Sequence, residues 1–365
     1  MTKQTMIGLL VVFLGFNSCV ERIDFKLDKP AHERLIVSGT LTDLDEPQLV
    51  YLSVTTSMDR QPLLVDGTYT LEDKPRPFPA ANVQLVDETT GNRWRYQQPK
   101  PGVYVLEGFQ HQSPDARYFL EIVSLGATYR SHPQAIPEAI GFDELSFSFE
   151  RTRREDNPEA AQVVIRSDVT LPDQIGDYYL RWAVDEAYFW DLTYFPNPFN
   201  TPPPLCVVFD FPDPERITLV NGSLLTSPGT KTTQVLAKKL VDQSFLSRHY
   251  FNVHQLSISK DAYEYWRRVR ELVNNTGSVF DTPPARIQGN IYSVNNSDEV
   301  VLGYFEVSKA KLTRIYTTAA DVPYVVEKVC DYIPDKPRDL YKPTCLSCDA
   351  FPNSIMEFPD WWFDQ

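Results

Sequence analysis

The sequence predicts a mainly β chain: an N-terminal immunoglobulin-like or transthyretin-like β-sandwich, then a second β-rich domain carrying one clear helix at about 259–275. Three observations carry that expectation. Apolar residues alternate with polar ones over short runs from residue 34 onward, as in half-buried strands. The 29 prolines, against 15 glycines, cluster in stretches such as KPRPFPA and YFPNPFNTPPP, which suit edge strands and long loops and exclude long helices. Only one stretch, beginning at Ser259, has a helical period.

The N-terminus is of a different kind. MTKQTMIGLLVVFLGFNSC carries Lys3, an apolar stretch from Met6 to Phe16, and small or polar residues leading into Cys19. That is the pattern of a secretory signal over residues 1–18. The apolar stretch falls well short of the roughly 20 residues that span a bilayer as a helix, so it is expected to be removed. Cleavage before Cys19 leaves its thiol at the mature N-terminus, where bacterial lipoprotein processing attaches acyl chains that hold a protein to a membrane. Phe16 stands where such signals usually have Leu, and ordinary secretion with a free Cys19 is the alternative. Residues 19–33 form a polar tether. Its Glu21 and Asp24 match an export cue that places lipoproteins on the cell surface, and a solvated linker explains them equally.

Residues 34–136 are expected to form the sandwich. LIVSGTLT, QLVYLSVT, ANVQLVDE, GVYVLEGF and RYFLEIVS are strand-like runs separated by DLDEP, TTGN and SPDA. DETTG at 87–91 sits between two runs as a hairpin, and Gly91 supplies the positive φ. Strands so spaced, with one buried face, fold most simply as two packed sheets. The A-x-V-x-L run before a turn glycine, followed by Tyr-containing strands ending at Tyr129-Arg130-Ser131, resembles transthyretin-like and carboxypeptidase regulatory-like sandwiches.

The Pro-bounded HPQAIPEA closes that domain, and 137–365 is read as the second. FDELSFSFER, AAQVVIRSDVTL and GDYYLRWAVDEAYFW are its first strands. The segment 188–205 combines aromatics and prolines into a rigid loop. Tyr188, Trp190, Tyr194, Phe195 and Phe199 are its candidate contacts for a partner or apolar ligand; the competing reading folds the loop over its own core. The helix has Ser259 as N-cap and Asp261 in its first turn. Ala262, Trp266, Val269 and Val273 make an apolar stripe for packing on a sheet. Gly277 ends it.

The remaining chemistry is mostly exclusion. A net charge of −14 argues against nucleic acid and anionic lipid surfaces as partners. No G-x-S-x-G, H-E-x-x-H, phosphate-cradling glycine loop or Ca²⁺ loop occurs in the chain. His249 and His254 are the neighbouring pair among the five histidines, and a separation of five puts them on opposite faces of a strand. No catalytic residue, metal site or cofactor is therefore assigned, and the chain is read as non-catalytic. With Cys19 committed to lipid, Cys206, Cys330, Cys345 and Cys348 form an even set in an oxidising compartment, which favours two disulfides. Bonding of Cys345 and Cys348 outward to Cys206 and Cys330 is preferred, because it closes long loops. A direct Cys345–Cys348 bond comes next, and a four-cysteine zinc site uses the same residues.

The run from Gln255 to Ile315 closely resembles the signature region of a Bacteroidota lipoprotein family catalogued as domain of unknown function 4249. The matching parts are Ser257-Ile258-Ser259, Ala262-Tyr263, Phe280-Asp281 with Pro283-Pro284, Gly289-Asn290-Ile291 and Leu302-Gly303-Tyr304-Phe305. The resemblance extends back to IVSGTLTD and forward to the terminal C-x-x-C and Trp. It implies an outer-membrane lipoprotein on the periplasmic or extracellular face, accessory to a TonB-dependent receptor. A module binding glycan, peptide or metal complex is the alternative. Read from the residues alone, Gly289 and Gly303 are fold determinants, placed where backbones approach closely.

Overall fold

The computed structural model describes residues 33–55, 63–65, 68–70, 76–78, 80–111, 113–153, 160–173, 177–199, 201–224, 227, 229–274 and 287–363. Residues 1–18, Cys19, the tether to residue 32, Gly277 and the Phe280-Asp281 and Pro283-Pro284 motifs lie outside them. The chain is mainly β with one main helix.

Its first part holds β1 (Leu35–Thr42), β2 (Gln48–Val54), β5 (Arg76–Pro77), β6 (Asn82–Asp87), β7 (Arg93–Arg95), β8 (Gln97–Lys100), β9 (Val103–Leu106), β10 (Arg117–Ser124), β11 (Ala127–Ser131) and β12 (Gln134–Ala135). A separate contact unit contains the hairpin of β3 (Leu63–Val65) and β4 (Thr68–Thr70). The DETTG hairpin joins β6 to β7: the Asp87 carboxylate accepts from the Thr89 amide and the Thr90 hydroxyl, and Gly91 takes φ 75°. Beyond residue 137 come β13 (Phe142–Thr152), β14 (Ala160–Thr170), β15 (Tyr179–Phe189), β16 (Val207–Asp210), β17 (Thr218–Asn221), β18 (Lys231–Leu240) and β19 (His249–Ile258). Helix α1 (Lys260–Asn274), β20 (Ile291–Ser293), β21 (Leu302–Thr317), the single turn α2 (Pro343–Leu346) and β22 (Ser354–Ile355) complete the chain.

One eleven-stranded sheet draws strands from both sides of residue 137, in the order β22-β16-β15-β19-β21-β1-β2-β9-β8 with β17 and β5 alongside. The 16-residue β21 joins its two halves. Leu302–Ser308 run parallel to β1, and Lys309–Thr317 run antiparallel to β19. The sheet curves into a half-barrel, and Lys100 at the end of β8 donates to Asn353 beside β22 across 3.2 Å.

Two smaller sheets cover one face of it, giving two sandwich cores. The sheet β20-β11-β10-β6-β7 packs on β1, β2 and β9 through Leu85, Leu120, Ile122, Val37 and Leu52, and Ile291, Phe305 and Val307 complete that core. The sheet β13-β14-β18 packs on β15 and β19 through Val163, Ile165, Leu236, Leu180, Trp182, Phe251 and Val253. Burial of these apolar faces is the main driving force for assembling the layers.

The two family glycines make the junction fit. A Cβ on Gly303, which has φ 91°, would lie 1.8 Å from the Val37 carbonyl oxygen, and one on Gly289 would lie 1.6 Å from the Gly303 oxygen. Asn290 beside them supplies the hydrogen bonds of a missing strand partner. Its amide donates to the Phe305 oxygen at 2.7 Å, and its side-chain oxygen accepts from the Phe305 N–H at 2.9 Å.

Helix α1 begins as read, with Ser259 Oγ accepting from the Ala262 amide at 3.2 Å. Its packed face keeps Ala262 and Trp266 of the expected stripe and departs from it further along. Ala262 and Tyr263 are buried and Tyr265 and Trp266 are packed, whereas Val269 and Val273 stay half-exposed. Only the first two turns lie against the sheet.

Candidate functional site

On β15, β19 and β21 both faces carry information, because successive side chains point to opposite sides. Leu180, Trp182, Phe251 and Val253 face the second core. The alternate residues face the hollow of the half-barrel. Along that face Tyr179, Leu256 and Tyr304 lie under α1, while Ala187, Tyr250 and Tyr316 lie under the aromatic C-terminal segment that includes Phe358, Trp361 and Trp362. Between these two plugs the face is open. It forms a groove of about 780 Å³, within the roughly 300–1,000 Å³ range of small-molecule sites. Tyr51, Phe209, Phe211 and Trp361 contribute aromatic surface, and Arg181, Asp185, Asn252, His254 and Arg314 contribute polar groups.

Those polar groups are held in place by one another. The Arg181 guanidinium donates to the Glu306 carboxylate at 2.9 and 3.3 Å, and Trp266 of α1 donates to the same carboxylate at 2.7 Å. Arg181 also lies over the Trp266 ring, 4.4 Å from its centroid, a cation–π contact that ties α1 to the groove. Further along, Asp185 contacts His254 Nε2 at 3.0 Å and accepts from the Asn252 amide at 2.7 Å. Arg314 donates to Asn252 Oδ1 at 3.2 Å and covers Trp361 at 4.4 Å. A row of donors and acceptors fixed in this way presents a prearranged polar floor to whatever enters, so little ordering is left to the moment of binding.

A second polar cluster lies on the opposite face. Ser244 Oγ is 3.1 Å from His249 Nδ1, and His249 Nε2 is 3.1 Å from Glu186 Oε2. Lys239 Nζ donates to the other Glu186 oxygen at 2.5 Å. Burial raises the Glu186 carboxyl, but His249 and Lys239 together outweigh it and hold the group below its ordinary value of 4.5. The constellation resembles a nucleophile, base and acid, yet Ser244 is 1% exposed and His249 and Glu186 are 0% exposed. His249 is stacked against Phe245, Phe251 and Tyr188 at 4.2, 4.8 and 4.9 Å. The cluster is sealed into the core, and its geometry is that of a satisfied buried network. His249 and His254 do face opposite ways, one into this core and one into the groove.

Among the described residues, no group of three or more His, Cys, Asp or Glu could hold a metal ion. The four cysteines form two disulfides, Cys206–Cys348 and Cys330–Cys345, so both members of the C-x-x-C motif bond outward. Tyr188 and Trp190 pack with Cys206, Cys348 and Phe351, and the Trp190 indole donates to the Thr344 oxygen at 3.0 Å. Phe195 sits edge-on to Tyr332 and Tyr341. Phe199 is 88% exposed and Tyr194 37%. Segment 188–205 thus meets the disulfide-bonded tail, and none of its five singled-out aromatics lines the groove.

The groove residues escaped the sequence reading. Arg181 and Asp185 on β15, and Asn252 and His254 on β19, read in the sequence as the solvent-facing positions of half-buried strands.

Comparison with family models gives a match to "Domain of unknown function (DUF4249)" over residues 20–314. The match takes in the shared sheet as far as Arg314 and ends before the disulfide-bonded tail. Neither the comparison with curated proteins nor that with solved structures gives a match.

Proposed function

The chain belongs to the DUF4249 family, and on that premise we propose that it is a non-catalytic binding lipoprotein of the outer membrane, accessory to a TonB-dependent receptor, with the groove as its recognition surface. The observation that carries this is the groove itself: an open stretch of the shared sheet whose polar groups are held in fixed positions between aromatic walls. Sites of that composition bind ligands, because the apolar rim supplies affinity and the few fixed polar groups supply orientation. The non-catalytic part of the reading rests on chemistry. The Ser244–His249–Glu186 row is closed to substrate, Asp185 in the groove is held by His254 and Asn252, and the buried Glu306 is committed to Arg181 and Trp266. Anchoring rests on the signal-like N-terminus ending at Cys19, and the two disulfides accord with an extracytoplasmic setting.

The test is affinity purification of the full chain from detergent-solubilised membranes of its own cells, with Cys19→Ser alongside. A barrel protein recovered with the wild type, and a Cys19→Ser form that leaves the membrane fraction, are the expected results. Recovery without any barrel protein contradicts the accessory role, and unchanged fractionation of Cys19→Ser contradicts the anchor.

A second reading places ligand contact at segment 188–205, and the exposure of Phe199 favours it. It expects binding to fall in Phe199→Ala and to persist when groove residues are changed.

A further inference from the structure

We infer that the groove takes an uncharged, polyhydroxylated ligand, a neutral saccharide, laid across the aromatic side chains with its hydroxyls on the polar floor. This rests on the groove being the recognition surface and adds the class of ligand.

Three features select that chemistry. The first is charge. The groove is lined by three acids, Glu46, Asp185 and Asp210, and three bases, Lys100, Arg181 and Arg314. Arg181 is paired with Glu306, and Arg314 lies 3.9 Å from Glu46. An ionic ligand would find no net field to draw it in, and at Asp185, Arg181 and Arg314 it would compete with the partners those groups already have. A hydroxyl needs no such exchange. It both donates and accepts, and each carboxylate and amide on the floor has further lone pairs or N–H groups to offer.

The second feature is the backbone. The central floor strand β19 lies inside the sheet, paired along its length with β15 on one side and with Lys309–Thr317 of β21 on the other. A peptide strand needs a free edge to add to, and β19, at the middle of the floor, offers none. Over β19, recognition therefore comes from side-chain tips and ring faces.

The third is the exposed aromatic surface. Tyr51 is 45% exposed and Phe211 58% exposed, although both line the groove. Flat apolar rings beside a row of fixed hydrogen-bonding groups complement a sugar ring, which has C–H faces above and below and hydroxyls around its rim. A wholly apolar ligand would match the rings but strip water from the Asp185, Asn252, His254 and Arg314 groups without replacing it.

The experiment uses the full chain in detergent, probed with an array of neutral oligosaccharides including malto-, xylo-, manno- and cello-hexaoses. Oligogalacturonate and an unstructured neutral peptide library form the comparison arms. Isothermal titration then follows each hit in Tyr51→Ala, Phe211→Ala and Asn252→Ala, with the exposed Leu224→Ala as control and thermal melting to confirm folding. The expected result is binding to at least one neutral oligosaccharide, a rise in Kd of tenfold or more in each groove variant, and no change in Leu224→Ala. Groove-dependent binding of oligogalacturonate or peptide without any neutral saccharide overturns the ligand class while the groove stands. Absence of binding in every arm, with the groove variants recovering the same membrane partner as the wild type, overturns both the class and the groove.

Discussion

Gly289 and Gly303 show how two residues without side chains set the position of everything else. Each lies where a methyl group would enter the backbone of the next segment, Gly289 against Gly303 and Gly303 against Val37. Backbone cannot move aside as a flexible side chain can, and Gly303 also has a φ of 91° that L residues rarely adopt. Gly303→Ala is therefore expected to cost about 3–5 kcal/mol, measured as a lowered denaturant midpoint. A substitution at the open Gly91 turn, where a Cβ would meet nothing within 4 Å, is expected to cost only the strain of its positive φ. A second residue-scale expectation concerns Glu186. Its carboxyl is depressed below 4.5 in the folded chain, so the stabilisation it provides is fully present above that value and is lost as pH falls through the lower folded value. Glu186→Gln should be less stable than wild type by about 3 kcal/mol at neutral pH, because it leaves Lys239 without its charge partner. The gap should close in acid, where the wild-type carboxyl also becomes neutral. Unfolding curves across that range check this, and a gap that stays constant with pH would mean that the ion pair is not the cause.

At the scale of elements, the two disulfides act on a tail that has little regular structure of its own. After β21 the chain contains short helical turns and the two-residue β22, and its attachment to the body depends on Cys206–Cys348, Cys330–Cys345 and the packing of Trp190 and Trp362. The first bond spans 142 residues and the second 15. In the chain-entropy account a loop of 15 residues is worth about 3 kcal/mol, and a longer loop more. Cys206→Ser with Cys348→Ser is therefore expected to lower stability further than Cys330→Ser with Cys345→Ser, as read from paired melting curves; the reverse order would show that local packing outweighs loop length. The strands themselves were legible from alternation, as were the DETTG hairpin and the Ser259 cap, because those signals are local. The packed face of α1 was legible only in part: Ala262 and Trp266 of the apolar stripe pack on the sheet, but Tyr263 and Tyr265 join them where Val269 and Val273 do not.

For the whole molecule, the shared sheet turns two sandwich-like halves into one surface. Alternation in LIVSGTLT and in RWAVDEAYF reveals that each strand has two faces, but not that β1 and β15 belong to the same sheet, which only β21 decides by pairing along half its length with each side. The groove was hidden for the same reason. Arg181, Asp185, His254 and Arg314 come from three strands separated by long stretches of chain, and no spacing in sequence relates them. Segment 188–205 drew attention by composition, yet most of its aromatic surface is used against the tail. The most direct measurement is site-specific photo-crosslinking in living cells, with a photoreactive phenylalanine analogue placed at Tyr51, Phe211 or Phe199 of the full chain. The account predicts covalent adducts at positions 51 and 211 and none at 199. Adducts at 199 with none in the groove would contradict it.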